Sequence, residues 1–142
     1  MIVIDTNVVS ELMRREPDVS VVRWFRDQDD AEMVLTAISE GELRLGAAVL
    51  PDGRRKSDII ARIDKMVVHH FGKQVLAFDS EAAEVYAVVV ASRRASGRPI
   101  AMADAQIASI AFVHDAAVAT RDVRDFEDCG IALINPWEPR AG

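Results

Sequence analysis

The chain opens Met1-Ile2-Val3-Ile4-Asp5-Thr6-Asn7, a run of apolar, mostly β-branched residues that stops at an acid, a hydroxyl and an amide. Apolar residues in succession, with no polar alternation, predict a strand covered on both faces, the kind found in parallel sheets. Asp5 then falls at the carboxyl end of that strand, the edge where open α/β sheets bind ligands. A helix cap is the competing account of Asp5 or Asn7. One cap explains one residue, not three polar residues in a row, so a functional site is expected here.

The remainder alternates strands with helices or helix pairs. Asn7 to Arg14 reads as a short helix stopped before Pro17, and Asp18 caps a second whose apolar side is Val19, Val22, Trp24 and Phe25, with Arg23 and Arg26 outward. Glu32 to Leu35, ending at Thr36, is the second strand; a helix follows from about Ile38 to Ala48. Pro51-Asp52-Gly53 breaks the chain before the basic cluster Arg54-Arg55-Lys56, and Ser57 or Asp58 starts the next helix, with Ile59, Ile60, Ile63, Met66 and Val67 at helical spacing. Gln74 to Phe78 is the third strand, capped into a long helix by Asp79 or Ser80 and closed at Gly97. A helix from about Ala101 to His114, a strand from Ala117 to Thr120 and a last strand from Ile131 to Ile134 complete the order, before Asn135-Pro136-Trp137. The expected fold is α/β: a single domain over residues 1–142, with a parallel sheet of about five strands flanked by helices on both faces.

Half of the 142 residues are hydrophobic, an ordinary globular composition. The single cysteine, Cys129, has no internal partner and points to a reducing cytoplasm. Met1 to Ile4 is too short for a signal peptide, and no apolar run reaches the length of a membrane span. The formal charge of −6, taken alone, argues against a partner made of phosphates.

Two helices carry an acid in line with apolar residues. Glu42 shares a stripe with Ile38, Leu45 and Val49, and Asp104 with Ile100, Ala101, Ile107, Ala108 and Ala111. Acids are rarely buried unpartnered, because an unpaired buried charge is costly. Each has a plainer account: Ser39-x-x-Glu42 fits a capping box, and Asp104 caps a helix that starts later. Glu40, four residues before Arg44, needs only a surface ion pair. Asp122 follows its strand as Asp5 follows the first, so the two share one edge of a parallel sheet; Asp125 and Asp128 lie in a polar, solvated stretch.

Together these residues resemble the PIN-domain ribonucleases, specifically the VapC- and FitB-like toxins of bacterial toxin–antitoxin pairs. The resemblance rests on Ile4-Asp5-Thr6-Asn7, Ser39-x-x-Glu42-Leu43-Arg44-Leu45-Gly46, Ala103-Asp104-Ala105-x-Ile107-Ala108 and Ala119-Thr120-Arg121-Asp122, with Asn135-Pro136-Trp137 also FitB-like. It spans nearly the whole chain, with the motifs in family order. It implies that Asp5, Glu42, Asp104 and Asp122 hold one or two Mg²⁺ ions, or Mn²⁺ in their place, and hydrolyse RNA. Thr6, Asn7, Ser39 and Thr120 would orient these carboxylates from behind, and Arg121 would neutralise the cluster, touch a phosphate or make a structural ion pair. It further implies a bacterial, cytoplasmic protein held inactive by a VapB- or FitA-like antitoxin, as a homodimer or a higher assembly.

The chemistry agrees with that implication. Two like charges about 4 Å apart in a partly screened site repel by on the order of 4 kcal/mol, so a cluster of four acids needs protons or a cation. Carboxylates without histidine or cysteine suit a hard divalent ion; His69, His70 and His114 lack the partners a zinc site needs. Two such ions would also ease the charge conflict, leaving Arg54, Arg55, Lys56, Arg93, Arg94 and Arg98 to hold a single-stranded RNA backbone. Three rivals remain. A receiver-like phosphoacceptor domain would use Asp79, but wants paired acids after its first strand and a lysine after its last. A haloacid dehalogenase-like phosphatase wants Asp at position 7, where this chain has Asn7. A PIN-type DNA or flap nuclease shares the expected fold.

Overall fold

The computed structural model describes residues 1–72 and 74–138. Five strands, β1 (Ile2–Ile4), β2 (Met33–Thr36), β3 (Val75–Leu76), β4 (Ala117–Ala119) and β5 (Leu133–Ile134), form one sheet in the order β3-β2-β1-β4-β5, every pair parallel. Six α-helices lie between or beside them: α1 (Thr6–Leu12), α2 (Val19–Asp27), α3 (Ala37–Ala48), α4 (Arg54–Lys65), α5 (Ser80–Ala95) and α6 (Met102–Val113).

The apolar strands are buried for the reason their composition suggests. Along a strand successive side chains face opposite sides. Ile4, Leu35 and Ala119 enter a core with Val8, Val9, Val21, Leu43, Ile63 and Phe71, while Val3, Val34 and Val118 enter a second with Val89, Ile107, Ala108 and Phe126. Helices therefore cover both faces. The chain moves from β1 to β2 on one side and returns to place β4 on the other, so the direction of strand order reverses beside β1. A crevice opens at such a switch point, at the carboxyl ends of the strands. Asp5 ends β1 there, and Thr120, Arg121 and Asp122 follow β4 at the same edge.

Several boundaries and faces differ from expectation. On α3 the core stripe is Ser39, Leu43 and Ala47; Leu45 and Val49 are 64% and 72% exposed, and Glu42 stands on the exposed side rather than toward the core. The helix starts a turn before the supposed capping box, because the Thr36 side chain accepts from Ser39 N at 3.1 Å. On α2 the buried residue is Val21, and Val19 is exposed; Asp18 caps it as expected, accepting from Ser20 N at 2.8 Å.

α4 begins at Arg54, not at Ser57 or Asp58. Gly53 takes φ 149°, a conformation open to glycine, and the Ser57 hydroxyl turns back to the Gly53 carbonyl at 3.2 Å instead of capping a new helix. The basic cluster is thus the first turn of α4. A π-helical turn at Met66–His70 ends that helix, which no sequence signal announced. β3 and β5 are shorter than Gln74 to Phe78 and Ile131 to Ile134, as befits strands at the two sheet edges, each with a single hydrogen-bonded neighbour.

Candidate active site

The site is built from four places in the chain. Asp5 lies at the turn from β1 into α1, 5% exposed, and does two jobs at once: its Oδ1 accepts from Thr6 N at 2.8 Å as a helix cap, while its Oδ2 accepts from the Thr120 hydroxyl at 2.8 Å. Cap and site are not alternatives here. Thr120, fully buried, also accepts from Asn7 Nδ2 at 3.3 Å and from Asp122 N at 3.0 Å. Asn7 Nδ2 reaches Asp122 Oδ2 at 3.0 Å, and Asn7 Oδ1 accepts from Arg121 N at 3.3 Å. The β1 and β4 ends are therefore stitched together by one amide and one hydroxyl.

On the other side of Asp5, Thr6 Oγ1 lies 2.8 Å from Glu42 Oε1 and 2.9 Å from Ser39 Oγ. A hydroxyl has one proton and an ionised carboxylate only accepts. Thr6 therefore donates to Glu42, and the buried Ser39 donates to Thr6. Asp104 sits in the first turn of α6, where the helix starts at Met102 with no side-chain cap, so its carboxylate is not a cap. It is half-buried and faces the same cleft.

Asp5, Glu42, Asp104 and Asp122 line one open cleft of about 470 Å³, together with Thr6, Asn7, Ser10, Glu11, Arg14, Arg121 and Trp137. A groove of about 480 Å³ between α2 and the end of β5 is as large, but none of the four acids reaches it. Burial pushes the Asp104 pKa from 3.8 to about 6, reinforced by the charges of Asp5, Asp125, Glu42 and Asp122. Burial also raises that of Asp5, against the hydrogen bonds from Thr120 and Thr6, which lower it; Glu42 and Asp122 add to the rise. These are the signs of like charges held together in a partly dehydrated place. Among the described residues, no three acidic, histidine or cysteine side chains stand at ligand spacing as placed. Glu42 leans on Thr6 through Oε1 and Asp122 on Asn7 through Oδ2, so each carboxylate has its other oxygen free of hydrogen bonds among the described residues.

Three cleft residues, Ser10, Glu11 and Arg14, carried no warning in the motifs. Glu11 is 6% exposed, accepts from Asp18 N at 3.0 Å and pairs with Arg14 at 3.2 Å. Its one signal was position, four residues after Asn7 and so on the same helix face. Trp137 places its ring 5.2 Å from the Arg121 guanidinium carbon. The structural ion pair considered for Arg121 is absent among the described residues.

The basic clusters fall out differently from expectation. Arg93 is 5% exposed and donates to the carbonyls of Arg98, Asp125 and Glu127, so it holds the loop after β4 rather than a ligand. Arg98 pairs with Glu127 and Asp128, and Lys56 with Asp52. Of the expected cations Arg55 lines a groove beside Glu42, together with Arg14 and Arg62; Arg14, Arg15, Arg62 and Lys65 line a further groove with His70. Glu40 and Arg44 form the expected surface pair at 2.7 Å. His69, His70 and His114 are exposed and none lines the cleft. Asp79, the residue a receiver domain would use, accepts from Ala82 N at 2.9 Å as the cap of α5, beyond an edge strand.

The chain is similar to known proteins along nearly its whole length. The PIN domain family model matches residues 2–131. The chain is 43% identical over 139 residues to the VapC ribonuclease Y4jK of Sinorhizobium fredii, covering 98% of this chain and 99% of that one. It is 38% identical over 137 residues to Toxin FitB of Neisseria gonorrhoeae, covering 96% and 99%. The solved structure of FitAB bound to an IR36 DNA fragment superposes with a TM-score of 0.93 at 36% identity, covering 99% of each chain.

Proposed function

The chain belongs to the PIN domain family, alongside VapC and FitB toxins, and from that premise we propose that it is a Mg²⁺-dependent endoribonuclease, the toxin of a type II toxin–antitoxin module. One observation carries the reading: four carboxylates from four separate segments meet in one cleft at the switch point of the sheet, with the proton affinity of Asp104 raised to about 6.

The donor set fits the ion. All four candidate ligands are carboxylates, no histidine or cysteine lines the cleft, and their mutual repulsion is what a hard dication offsets. Asp5 and Asp104 are the strongest ligands in this reading, with Glu42 and Asp122 completing the set; Mn²⁺ would substitute for Mg²⁺. When bound, the metal supplies Lewis acidity that favours loss of a proton from the attacking water and steadies the leaving oxygen. The chain's own residues do the positioning. Thr120 and Thr6 N fix the two oxygens of Asp5, Thr6 holds Glu42, and Asn7 holds Asp122. Glu42, on the exposed side, would accept a hydrogen bond from the attacking water. The groove of Arg14, Arg15, Arg62 and Lys65 beside the acids supplies the positive charge that a nucleic-acid backbone needs despite the net −6.

The same reading includes an antitoxin. The FitB neighbour is solved as FitAB. Here a groove of about 340 Å³, floored by Met13, Leu43, Ala47 and Ile59, opens beside Glu42. An antitoxin segment with apolar side chains on that floor and one cation reaching the acids would block the cleft.

The test is cleavage of single-stranded RNA by the partner-free chain. Activity is expected with Mg²⁺, and its loss with chelator and in Asp5→Asn. Cleavage indifferent to chelator, or surviving Asp5→Asn, overturns the metal-dependent reading.

A further inference from the structure

At the mouth of the acidic cleft, Arg121 and Trp137 form a pair that the carboxylate chemistry leaves unused. The guanidinium carbon lies 5.2 Å from the centre of the indole, and both side chains line the cleft that holds the four acids. Arg121 is exposed and immediately precedes Asp122, yet among the described residues it makes no ion pair. Its neighbour in the cleft, Arg14, is bound to Glu11 at 3.2 Å. Both backbones of the pair are pinned: Arg121 N donates to Asn7 Oδ1 at 3.3 Å, and Trp137 N to Asn135 Oδ1 at 3.0 Å. The segments after β4 and β5 thus bring a half-buried ring, packed in part against the core, and an exposed planar cation to the cleft.

We propose that Trp137 is the platform on which a base of single-stranded RNA stacks beside the cleaved phosphate, and that Arg121 leaves the ring for that phosphate as the base arrives. The proposal rests on the nuclease reading above and adds to it how the substrate is held. Every nucleobase has a π face, so such a platform tolerates any sequence. Bases in a duplex are already stacked on one another, so the platform selects unpaired strands. A base–indole stack is worth more than an exposed cation–π pair, so the exchange is downhill.

The experiment uses the full chain with Asp5→Asn, to prevent cleavage, and Trp24→Phe, leaving Trp137 as the sole indole of the two tryptophans. Trp24 Nε1 has no hydrogen-bond partner among the described residues, so that change removes none. A short end-labelled oligoribonucleotide, single-stranded or annealed to its complement, is titrated while indole emission and label anisotropy are read together. Quenching by the single strand and not by the duplex is expected. Trp137→Leu should weaken binding by about tenfold, and Trp137→Phe should restore most of it. In the cleavage-competent chain, Trp137→Leu should raise KM far more than it lowers kcat. Binding seen by anisotropy without quenching, or equal affinity in the Leu and Phe variants, overturns the platform and leaves the nuclease reading intact. Quenching only by an antitoxin protein overturns it too. Absence of any RNA binding by the Asp5-intact chain, with Mg²⁺ and Trp137 in place, defeats both readings.

Discussion

Asp104 sits half-buried in the first turn of α6, and burial, reinforced by Asp5, Asp125, Glu42 and Asp122, lifts its pKa from 3.8 to about 6. An acid held above its unfolded value favours the fold only while protonated. That contribution is complete below about pH 3.8 and is lost as pH rises through about 6. Across that interval the difference amounts to roughly 3 kcal/mol at most, and partial solvation brings the working figure to about 1–2 kcal/mol. Asparagine has nearly the same shape and is neutral at every pH. The free Asp104→Asn chain should therefore melt about 3–6 °C above the parent near pH 7.5. The advantage should shrink through about pH 6 and vanish near pH 4, where Asp104 is itself neutral. The assay is a pair of thermal melts in chelator at a series of pH values. A difference that does not change with pH, or a variant that melts lower near pH 7.5, refutes the reasoning. The same variant should lose cleavage.

Thr120→Val keeps the shape but removes the hydroxyl shared by Asp5, Asn7 and the Asp122 amide. It should cost about 1–3 kcal/mol in denaturant titration and, because that hydrogen bond lowers the Asp5 pKa, move the acid limb of the pH–rate profile upward. Mg²⁺ should raise the melting temperature of the free chain, by the equivalent of about 2.7 kcal/mol at a hundred times its Kd, and far less in Asp5→Asn; no shift at millimolar metal counts against a site. Arg15 and Lys65 are exposed and free of ion pairs among the described residues. Replacing both by alanine should weaken RNA binding and reduce its salt slope by about 0.7 for each lost contact, and an unchanged slope removes the basic groove from the binding path.

The sheet and its acid edge were legible because they follow from two local rules. An apolar run without alternation marks a doubly covered strand, and a polar residue at its end marks the ligand edge; Asp5 and Asp122 needed nothing else. Glu42 was found by a wrong premise. Leu45 and Val49 made its stripe look like a core face, and both are exposed. Hydrophobic spacing locates an apolar face without saying whether the protein itself covers it. Arg93 was not legible at all. An arginine late in a helix reads as solvated, and what buries it is a set of main-chain carbonyls, two of them 32 and 34 residues away. The start of α4 was hidden likewise, since Ser57 has the chemistry of a cap but uses its hydroxyl on the preceding turn.

The way the acids are held bears on what they are for. Asp5, Glu42 and Asp122 are oriented by neutral donors, the hydroxyls of Thr6 and Thr120, the Asn7 amide and the Thr6 backbone N–H. Neutral donors fix direction without cancelling charge. Glu11 is the contrast within the same cleft: Arg14 holds it, and its charge is spent locally. Had arginines held the other carboxylates, the fold would be more stable and a cation would gain nothing by entering. Arg121, exposed and next to Asp122 in sequence, faces an indole instead. A site whose acids are dehydrated by burial and, to a lesser degree, repel one another, the two causes that raise the pKa of Asp5 and Asp104, lends its instability to whatever positive group arrives. On the proposed reading a divalent ion and the basic side chain of an antitoxin would compete for the same unneutralised charge. Mg²⁺ should therefore weaken antitoxin binding in proportion to its occupancy of the cleft, and Asp104→Asn should blunt that competition.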